Sequence, residues 1–398
     1  MGKSNLPAAT ENREQRIVMK QITKFLRDWS RRSLQISLAA LLITTLSFSL
    51  CSAGWSATLP THLQLAALAK GDAITDPNAI LRYALPIDNQ PVRDLQKSLE
   101  DISKYLRGKR WSAVSRQVRD ASRVLQLRRD NILKSVPDQR KPQAEALITD
   151  ITTGVGELEN AVAATDREQV WTQRRKLLNQ VTELEALMVQ GFPFEVPTAY
   201  SNLPQLKGRA IVDMKTTQGD LTIIVDGYSA PVNAGNFVDL VKRGFYDGLP
   251  FIRSEDNFVV QAGDPPGADE GFIDPDSGKY RSIPLEVLIK GEKEPIYGTT
   301  LEEAGFYLPE LALPFNAYGA IALARPDTDP NGGSSQFFLF RFDTELTPPG
   351  FNLMDGRYSV FGYLVQGEDV LEKLTDKDKI ISAKVISGLN NLVEPNAS

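Results

Sequence analysis

The chain contains almost no cysteine and almost no histidine: in 398 residues there is one of each, Cys51 and His62. One cysteine cannot form a disulfide within the chain, and one histidine without neighbouring cysteines does not make a zinc site. The serine–histidine and cysteine–histidine pairs of nucleophilic enzymes lose their support for the same reason. We therefore expect a function that needs neither a metal ion nor an imidazole base.

Positive charge is scarce in the C-terminal half of the chain. Residues 205–398 carry 17 Lys and Arg against 29 Asp and Glu, a net charge of −12. Residues 1–53 have a net charge of +5 (8 against 3), and residues 54–204 have +2 (20 against 18). Because an acidic surface repels phosphate groups, we do not expect nucleic acid as a partner. The chain length and the apolar fraction of 42% predict a folded protein of two domains.

A long uncharged run, residues 33–50, follows a basic stretch that ends in Arg31 and Arg32, and small residues occupy positions 51–54. This order is typical of an export signal, and the paired arginines also fit a signal of the twin-arginine type. The run is close to the shortest that spans a membrane, so an uncleaved anchor is the alternative. We expect residues 1–53 to be an export signal or a membrane anchor, and the rest to act outside the cytoplasm.

Apolar residues recur at helical spacing between Val92 and Met188. They form four stripes, and Pro137 and Pro142 separate the second stripe from the third. No stripe can bury itself alone, so residues 54–190 are predicted to form an all-α four-helix bundle.

The second predicted helix has a basic face, on which Arg116, Arg119 and Arg123 follow at helical spacing. One interpretation is an ordinary solvated face. The other is a docking surface for an acidic partner, either anionic lipid or the acidic C-terminal domain of the same chain.

Residues 191–208 are predicted to be a linker, because they combine several prolines and glycines with no periodicity. From residue 209 onward, short apolar runs are bounded by Gly, Pro and Asp, and two helical stretches, 233–243 and 369–374, interrupt them. The predicted strands are 211–215, 221–225, 258–262, 320–324, 337–340 and 359–365. This pattern predicts that residues 209–398 form a closed antiparallel β-barrel capped by two helices.

Four segments of this domain carry the motifs of the cyclophilin family in the family's order. They are 231–248 with Asn236-Phe237 and Gly244-Phe245-Tyr246, 251–264 with Phe251-Ile252-Arg253 and Gln261-Ala262-Gly263-Asp264, 331–338 with Ser335-Gln336-Phe337-Phe338, and 353–362 with Asp355-Gly356-Arg357-Tyr358. About half of the chain therefore resembles a cyclophilin.

The resemblance implies rotation of X–Pro peptide bonds, an activity that suits the scarcity of cysteine and histidine. Amide resonance sets a barrier of about 20 kcal/mol, and lowering it requires no nucleophile, metal or cofactor. By resemblance, Arg253 directs its guanidinium at the prolyl nitrogen and Gln261 orients it. The resemblance assigns further substrate contacts to Phe258, Val259, Ala324, Gln336, Phe338, Leu353 and Tyr358. The alternative for Phe258, Val259 and Phe338 is a purely structural place in the barrel core.

The chain departs from the family pattern at the pocket. Leu353 stands where the family usually has tryptophan, Tyr358 and Ile252 where it usually has histidine, and Arg325 where it usually has asparagine. Leucine has no indole N–H, and the loss of one hydrogen bond, worth about 1 kcal/mol, is expected to weaken substrate binding. An acidic insertion between Gln261 and Ala324 is predicted to be either a solvated loop or a docking surface.

The order of export signal, helical domain and cyclophilin domain resembles the thylakoid-lumen cyclophilins of plants and cyanobacteria, a family associated with the assembly and maintenance of photosystem II. The resemblance implies a lumenal or periplasmic isomerase that acts on proline-containing segments, with photosystem II subunits among its partners. The alternative is a non-catalytic assembly chaperone that binds such segments. In a third hypothesis, the helical domain docks on the cyclophilin domain and masks its pocket.

Overall fold

The computed structural model describes residues 74–275, 277–342 and 352–395. The predicted export signal or membrane anchor at residues 1–53 lies outside these ranges. Within them, no helix combines the length and the apolar content that a membrane crossing requires.

The N-terminal part of the described chain is all-helical, as predicted. Its helices are α1 (Pro77–Tyr83), α2 (Gln90–Arg107), α3 (Trp111–Leu127), α4 (Arg129–Leu133), α5 (Lys141–Ala163) and α6 (Arg167–Met188). The four apolar stripes fall on α2, α3, α5 and α6, which are 17 to 23 residues long. The sequence patterns do not predict the short helices α1 and α4.

Helix α2 illustrates how the stripes become the core of this domain. It begins where the side chain of Asn89 accepts a hydrogen bond from the backbone N–H of Val92, with Pro91 in the first turn. Its apolar residues recur every three or four positions and are fully buried: Val92, Leu95, Leu99, Ile102 and Leu106. This spacing places all of them on the face that packs against the other helices.

The C-terminal domain is built mainly from strands. These are β1 (Gln205–Leu206), β2 (Arg209–Thr216), β3 (Gly219–Asp226), β4 (Phe251–Glu255), β5 (Val259–Ala262), β6 (Glu286–Val287), β7 (Ile296–Tyr297), β8 (Ala320–Leu323), β9 (Phe337–Phe340), β10 (Val360–Gln366), β11 (Ile380–Ser387) and β12 (Leu392–Val393). Eight of them form one antiparallel sheet in the order β11-β2-β3-β10-β8-β9-β5-β4, while β1 pairs with β12 and β6 with β7. Two helices, α7 (Pro231–Lys242) and α8 (Glu368–Lys373), accompany the sheet.

The large sheet curls, but its two edges do not join into the closed barrel that the sequence predicts. Among the described residues, β4 and β11 meet at one bridge, between Pro250 and Lys379, where the N–H of Phe251 donates to the carbonyl of Asp378 at 3.0 Å and the N–H of Ile380 to the carbonyl of Leu249 at 2.9 Å. The backbone hydrogen bonds at this contact involve only the first residue of each strand, Phe251 and Ile380, so no ladder runs along the two edges in the described part of the chain. The prediction of a closed barrel is therefore corrected to a curled half-barrel.

Glu286, an acidic residue of the insertion, is buried rather than part of a solvated loop. Its carboxylate accepts hydrogen bonds from the backbone N–H groups of Val232 and Asn233 and from the Asn233 side-chain amide, at 2.9 to 3.1 Å. These groups lie in the first turn of α7, where backbone N–H groups have no partner within the helix. Burial raises the pKa of Glu286 to about 7, although the N–H donors act in the opposite direction.

Helix α1 joins the helical domain to the sheet. Its residues Ile80 and Leu81 are buried in one apolar cluster with residues of β8, β9 and β10, and Arg209 of β2 donates a hydrogen bond to the backbone carbonyl of Leu81. The neighbouring Arg82 pairs with Glu100 of α2 at 2.9 Å, which ties α1 to the helical domain. The two domains are thus linked through buried groups.

Docking through α1 differs from the predicted docking through the basic face of α3. The partners described for Arg119 and Arg123 are Ser115 and Asp120, both in α3 itself. Burying a leucine or isoleucine contributes about 1.5–3 kcal/mol, whereas an exposed ion pair contributes about 0–1 kcal/mol. The apolar contact is therefore the stronger of the two ways to hold these domains together.

We expect Glu286→Ala to lower the free energy of unfolding by about 2–4 kcal/mol, because three buried N–H groups lose their acceptor. The pKa of Glu286 in the folded protein lies above its unfolded value, so the native protein gains stability as the pH falls below about 7. The variant lacks this gain, and its loss of stability should be larger at pH 5.5 than at pH 8. Urea unfolding at both pH values measures this difference.

Glu292→Ala is the matched control, since Glu292 belongs to the same insertion but is exposed. Its effect should stay below about 0.5 kcal/mol at both pH values. Equal effects of the two substitutions would contradict the assigned role of Glu286.

Candidate functional site

A cavity of about 400 Å³ opens on the outer face of the sheet, at the ends of β4, β5, β8 and β9. The residues that line it are Arg253, Phe258, Val259, Gln261, Ala324, Arg325, Asp327, Phe338, Met354 and Tyr358. Seven of the nine predicted site residues are therefore brought together. Gln336 contacts this group through Gln261, and Leu353 stands apart.

Strand register explains why residues that are distant in sequence meet here. Arg253 of β4 lies opposite Gln261 of β5, and Gln261 lies opposite Phe338 of β9. Phe338 in turn lies opposite Ala322 of β8. Because side chains alternate between the two faces of a strand, this register directs every second residue of these strands toward the cavity.

The floor of the cavity is apolar and rigidly packed. Phe338 is 5% exposed and stacks on Phe315, with ring centroids 6.0 Å apart. Tyr358 meets Phe338 edge to face at 5.5 Å. The apolar cluster that contains Phe338 also contains Ile80 and Leu81 of α1. The floor is therefore part of the surface on which the helical domain docks.

Polar side chains form one rim of the cavity. The Tyr358 hydroxyl donates to Oδ1 of Asp327 at 3.0 Å, and the Arg325 guanidinium lies 5.1 Å from the centre of the Tyr358 ring. Desolvation raises the pKa of Tyr358, so its phenol stays protonated and able to donate. Arg325 also donates to the backbone carbonyl of Arg357 at 2.7 and 2.9 Å. A fixed cation thus stands at the position where the family usually has asparagine.

Arg253 is held by a residue that the sequence analysis did not single out. Its Nε and Nη2 atoms lie 2.7 and 2.6 Å from Oε1 of Glu255. Gln261, the predicted orienting residue, instead donates its Nε2 to Oε1 of Gln336 at 2.7 Å. The sequence does contain a signal for this pair. Arg253 and Glu255 carry opposite charges and are two residues apart on a strand, so their side chains lie on the same face.

Leu353 does not close the cavity, contrary to what its position in the family pattern implies. Its side chain is 75% exposed, and the neighbouring Met354 lines the cavity in its place. Asp355 holds this loop by accepting a hydrogen bond from the backbone N–H of Phe315 at 2.8 Å. Desolvation raises the pKa of Asp355 to about 6. The loop that carries Met354 and Tyr358 is thus tied to the aromatic residue beneath the cavity floor.

The cavity shows no resident chemical group that would react with a substrate. Among the described residues there is no cluster of His, Cys, Asp and Glu that could hold a metal ion. What the arrangement offers is an apolar floor, a guanidinium at its mouth and side-chain amides beside it.

Two parts of the chain match known protein families. Residues 76–189 match the family described as "Peptidyl-prolyl cis-trans isomerase CYP38-like, PsbQ-like domain". Residues 211–388 match the family described as "Cyclophilin type peptidyl-prolyl cis-trans isomerase/CLD". The two matches together span both the helical part and the sheet.

The chain is also similar over most of its length to individual proteins. It is 65% identical over 368 residues to the Synechocystis protein named "Putative thylakoid lumen peptidyl-prolyl cis-trans isomerase sll0408", with 92% of this chain and 97% of that protein covered. It is 44% identical over 381 residues to the chloroplastic peptidyl-prolyl cis-trans isomerase CYP38 of Arabidopsis thaliana, with 92% and 87% covered.

A solved structure, a Cryptosporidium parvum cyclophilin-type isomerase, aligns with 45% of this chain and 98% of its own at 21% identity and a TM-score of 0.31. The two full-length relatives carry the assignment, because their similarity extends across both domains. The chain therefore belongs to the cyclophilin-type peptidyl-prolyl cis–trans isomerases, among those that carry an N-terminal CYP38-like, PsbQ-like helical domain.

Proposed function

We propose that this chain catalyses cis–trans isomerisation of X–Pro bonds in polypeptide segments that bind the cavity described above. The observation that carries the proposal is the presence of an apolar floor around Phe338 and the guanidinium of Arg253 in one cavity. A proline ring fits the apolar floor. The guanidinium can donate a hydrogen bond to the prolyl nitrogen when the peptide bond is twisted and that nitrogen loses its resonance with the carbonyl group.

In the proposed mechanism, Phe258, Val259 and Phe338 hold the proline ring while the preceding carbonyl rotates. A guanidinium hydrogen bond to the prolyl nitrogen is stronger in the twisted amide, where the nitrogen lone pair has left conjugation, than in either planar ground state. Interactions that strengthen only in the transition state lower the barrier. Gln261, Gln336 and Ala324 are proposed to contact the extended backbone on either side of the proline.

We further propose that the protein acts in the thylakoid lumen or the periplasm, with photosystem II subunits among its clients. The name of the Synechocystis relative supports a lumenal location, and the match of residues 76–189 to a PsbQ-like domain supports the link to photosystem II. In this proposal residues 1–53 direct export or anchor the chain, 54–190 form the helical bundle, 191–208 the linker and 209–398 the cyclophilin domain.

A second candidate function is that of a non-catalytic chaperone which binds proline-containing segments. The observation that favours it is the ion pair of Arg253 with Glu255, which occupies the group that would act on the prolyl nitrogen. The exposed Leu353 also leaves the rim without the hydrogen-bond donor that the family usually supplies there. Binding without isomerisation is the result that would select this function.

We expect Arg253→Ala to lower kcat/KM for an X–Pro peptide about a hundredfold, the usual effect of removing one donor that stabilises a transition state. Arg253→Lys should recover little of this loss, because an ammonium group cannot reproduce the planar, multiple donors of a guanidinium. The measurement is a coupled isomerisation assay on the full chain. Arg123→Ala, which removes an arginine from an exposed ion pair in α3, is the control.

If Arg253→Ala keeps full activity, the proposed mechanism is wrong. If the unaltered chain binds the peptide but does not accelerate isomerisation, the chaperone function replaces the enzymatic one.

We expect Phe258→Ala to raise KM about tenfold with a smaller change in kcat, because the proline ring loses apolar contact area in both the ground state and the transition state. Peptide titration of the initial rate separates the two constants. Ile386→Ala, at a side chain 57% exposed on β11, is the control for removal of an apolar group outside the cavity. Unchanged KM in Phe258→Ala would exclude Phe258 from the binding surface.

A further inference from the structure

Strand β4 carries opposite charges on the same face, at the mouth of the cavity. Nε and Nη2 of Arg253 both point at Oε1 of Glu255, at 2.7 and 2.6 Å. Each of the two side chains is 49% exposed. The pair is therefore open to solvent and to an arriving polypeptide, unlike the buried pairs elsewhere in this domain.

The backbone at Glu255 is held in place by contacts from a buried arginine. Arg341, which is 6% exposed, donates through Nη2 to the backbone carbonyl of Glu255 at 3.1 Å and to Oγ of Ser254 at 2.8 Å. The Ser254 hydroxyl also contacts the backbone carbonyl of Leu374 at 3.2 Å. The carboxylate can thus exchange one cationic partner for another while the strand stays in place.

The pairing leaves the guanidinium only partly available. A guanidinium has five N–H donors, and Glu255 engages Nε and Nη2, so both donors of Nη1 and one of Nη2 have no partner among the described residues. The carboxylate also offsets the positive charge that would attract the prolyl lone pair. On the far side of the cavity, Arg325, Asp327 and Tyr358 interact with one another, and Gln261 is bonded to Gln336. Glu255 is therefore the group that sets the state of Arg253.

We propose that Glu255 makes the site selective for proline-containing segments that carry Lys or Arg next to the proline. The cation of the segment pairs with Glu255, and Arg253 is released toward the prolyl nitrogen. A segment with a neutral or acidic residue next to the proline offers Glu255 no cation, so Arg253 is released only by losing the ion pair with Glu255. This inference rests on the proposed function and adds the class of segment that the site prefers.

The expected size of the effect follows from the exposure of the pair. Exposed ion pairs contribute about 0.2–1 kcal/mol, which corresponds to a factor of up to about five. A Lys neighbour should therefore raise kcat/KM about three- to fivefold over a Gln neighbour in the unaltered protein. Glu255→Gln should abolish this preference and raise kcat/KM for the Gln peptide by about the same factor.

The test uses the full chain and two series of labelled peptides, with Lys, Gln or Glu directly before or directly after the proline. Binding is followed by fluorescence anisotropy and isomerisation by the coupled assay. In at least one series the Lys peptide should have the highest kcat/KM, and 0.5 M NaCl should reduce this advantage by screening the exposed charges. Asp256→Asn is the matched control: Asp256 follows Glu255 directly and is exposed, and its replacement should leave the preference intact.

Three results would overturn the inference. They are equal treatment of Lys and Gln peptides in both series, a preference that survives Glu255→Gln, and a lower activity of Glu255→Gln on the Gln peptide. Any of these leaves the proposed function standing as long as Arg253→Ala is inactive. Absence of both binding and isomerisation with every peptide would overturn the proposed function together with the inference.

Discussion

The outer face of strands β5, β8, β9 and β10 is apolar, and the arrangement of the rest of the C-terminal domain depends on how this face is covered. Phe315, from the segment between β7 and β8, stacks on Phe338 and meets Phe340 edge to face at 5.3 Å. Helix α1 covers another part of the same face with Ile80 and Leu81. The part that stays uncovered is the candidate proline pocket. Docking of the helical domain and the proposed binding of a substrate thus involve one continuous apolar surface.

This shared surface gives the helical domain a structural connection to the site without any of its residues lining the cavity in the described part of the chain. Arg209 bonds to α1 from β2, and Arg82 bonds from α1 to α2. A change in the position of α1 would first displace the aromatic residues beneath the cavity floor, because packed interiors transmit small displacements. In the described part of the chain α1 packs on the apolar cluster beside the cavity, and masking of the pocket by the helical domain stays a hypothesis.

Much of the fold could be predicted from the sequence wherever a periodic pattern was long. The stripes of α2 and α6 extend over four or more turns, and the strand Phe337–Phe340 is an uninterrupted apolar run, so burial dictates each of them. Closure of the barrel could not be predicted, because it depends on whether two distant edges meet in register. Helix α1 escaped notice because seven residues are too short for a periodic signal.

Sequence motifs place some residues of the candidate site in the cavity, but they do not fix the side-chain contacts of others. Val259 and Phe338 lie on strands whose register brings them together, Phe258 directly precedes β5, and motif order is enough to place all three. Leu353 and Gln261 were assigned roles that depend on side-chain direction, which sequence order does not fix. Glu286 was grouped with the surface acids of the insertion, because its burial depends on a contact with the distant helix α7. A count of charged residues does not distinguish a buried carboxylate that caps a helix from a carboxylate exposed to solvent.

The open edge of the sheet has one more consequence. Strand β4 is an edge strand, and such strands tend to pair with edges of other molecules unless something prevents it. Here Arg253, Glu255 and the adjacent Asp256 place three exposed charges along a five-residue strand and the turn after it. The charges of Arg253 and Glu255 at the mouth of the cavity, together with that of Asp256, therefore also disfavour the addition of a further strand at this edge. Loss of these charges would favour aggregation of the protein during its own folding.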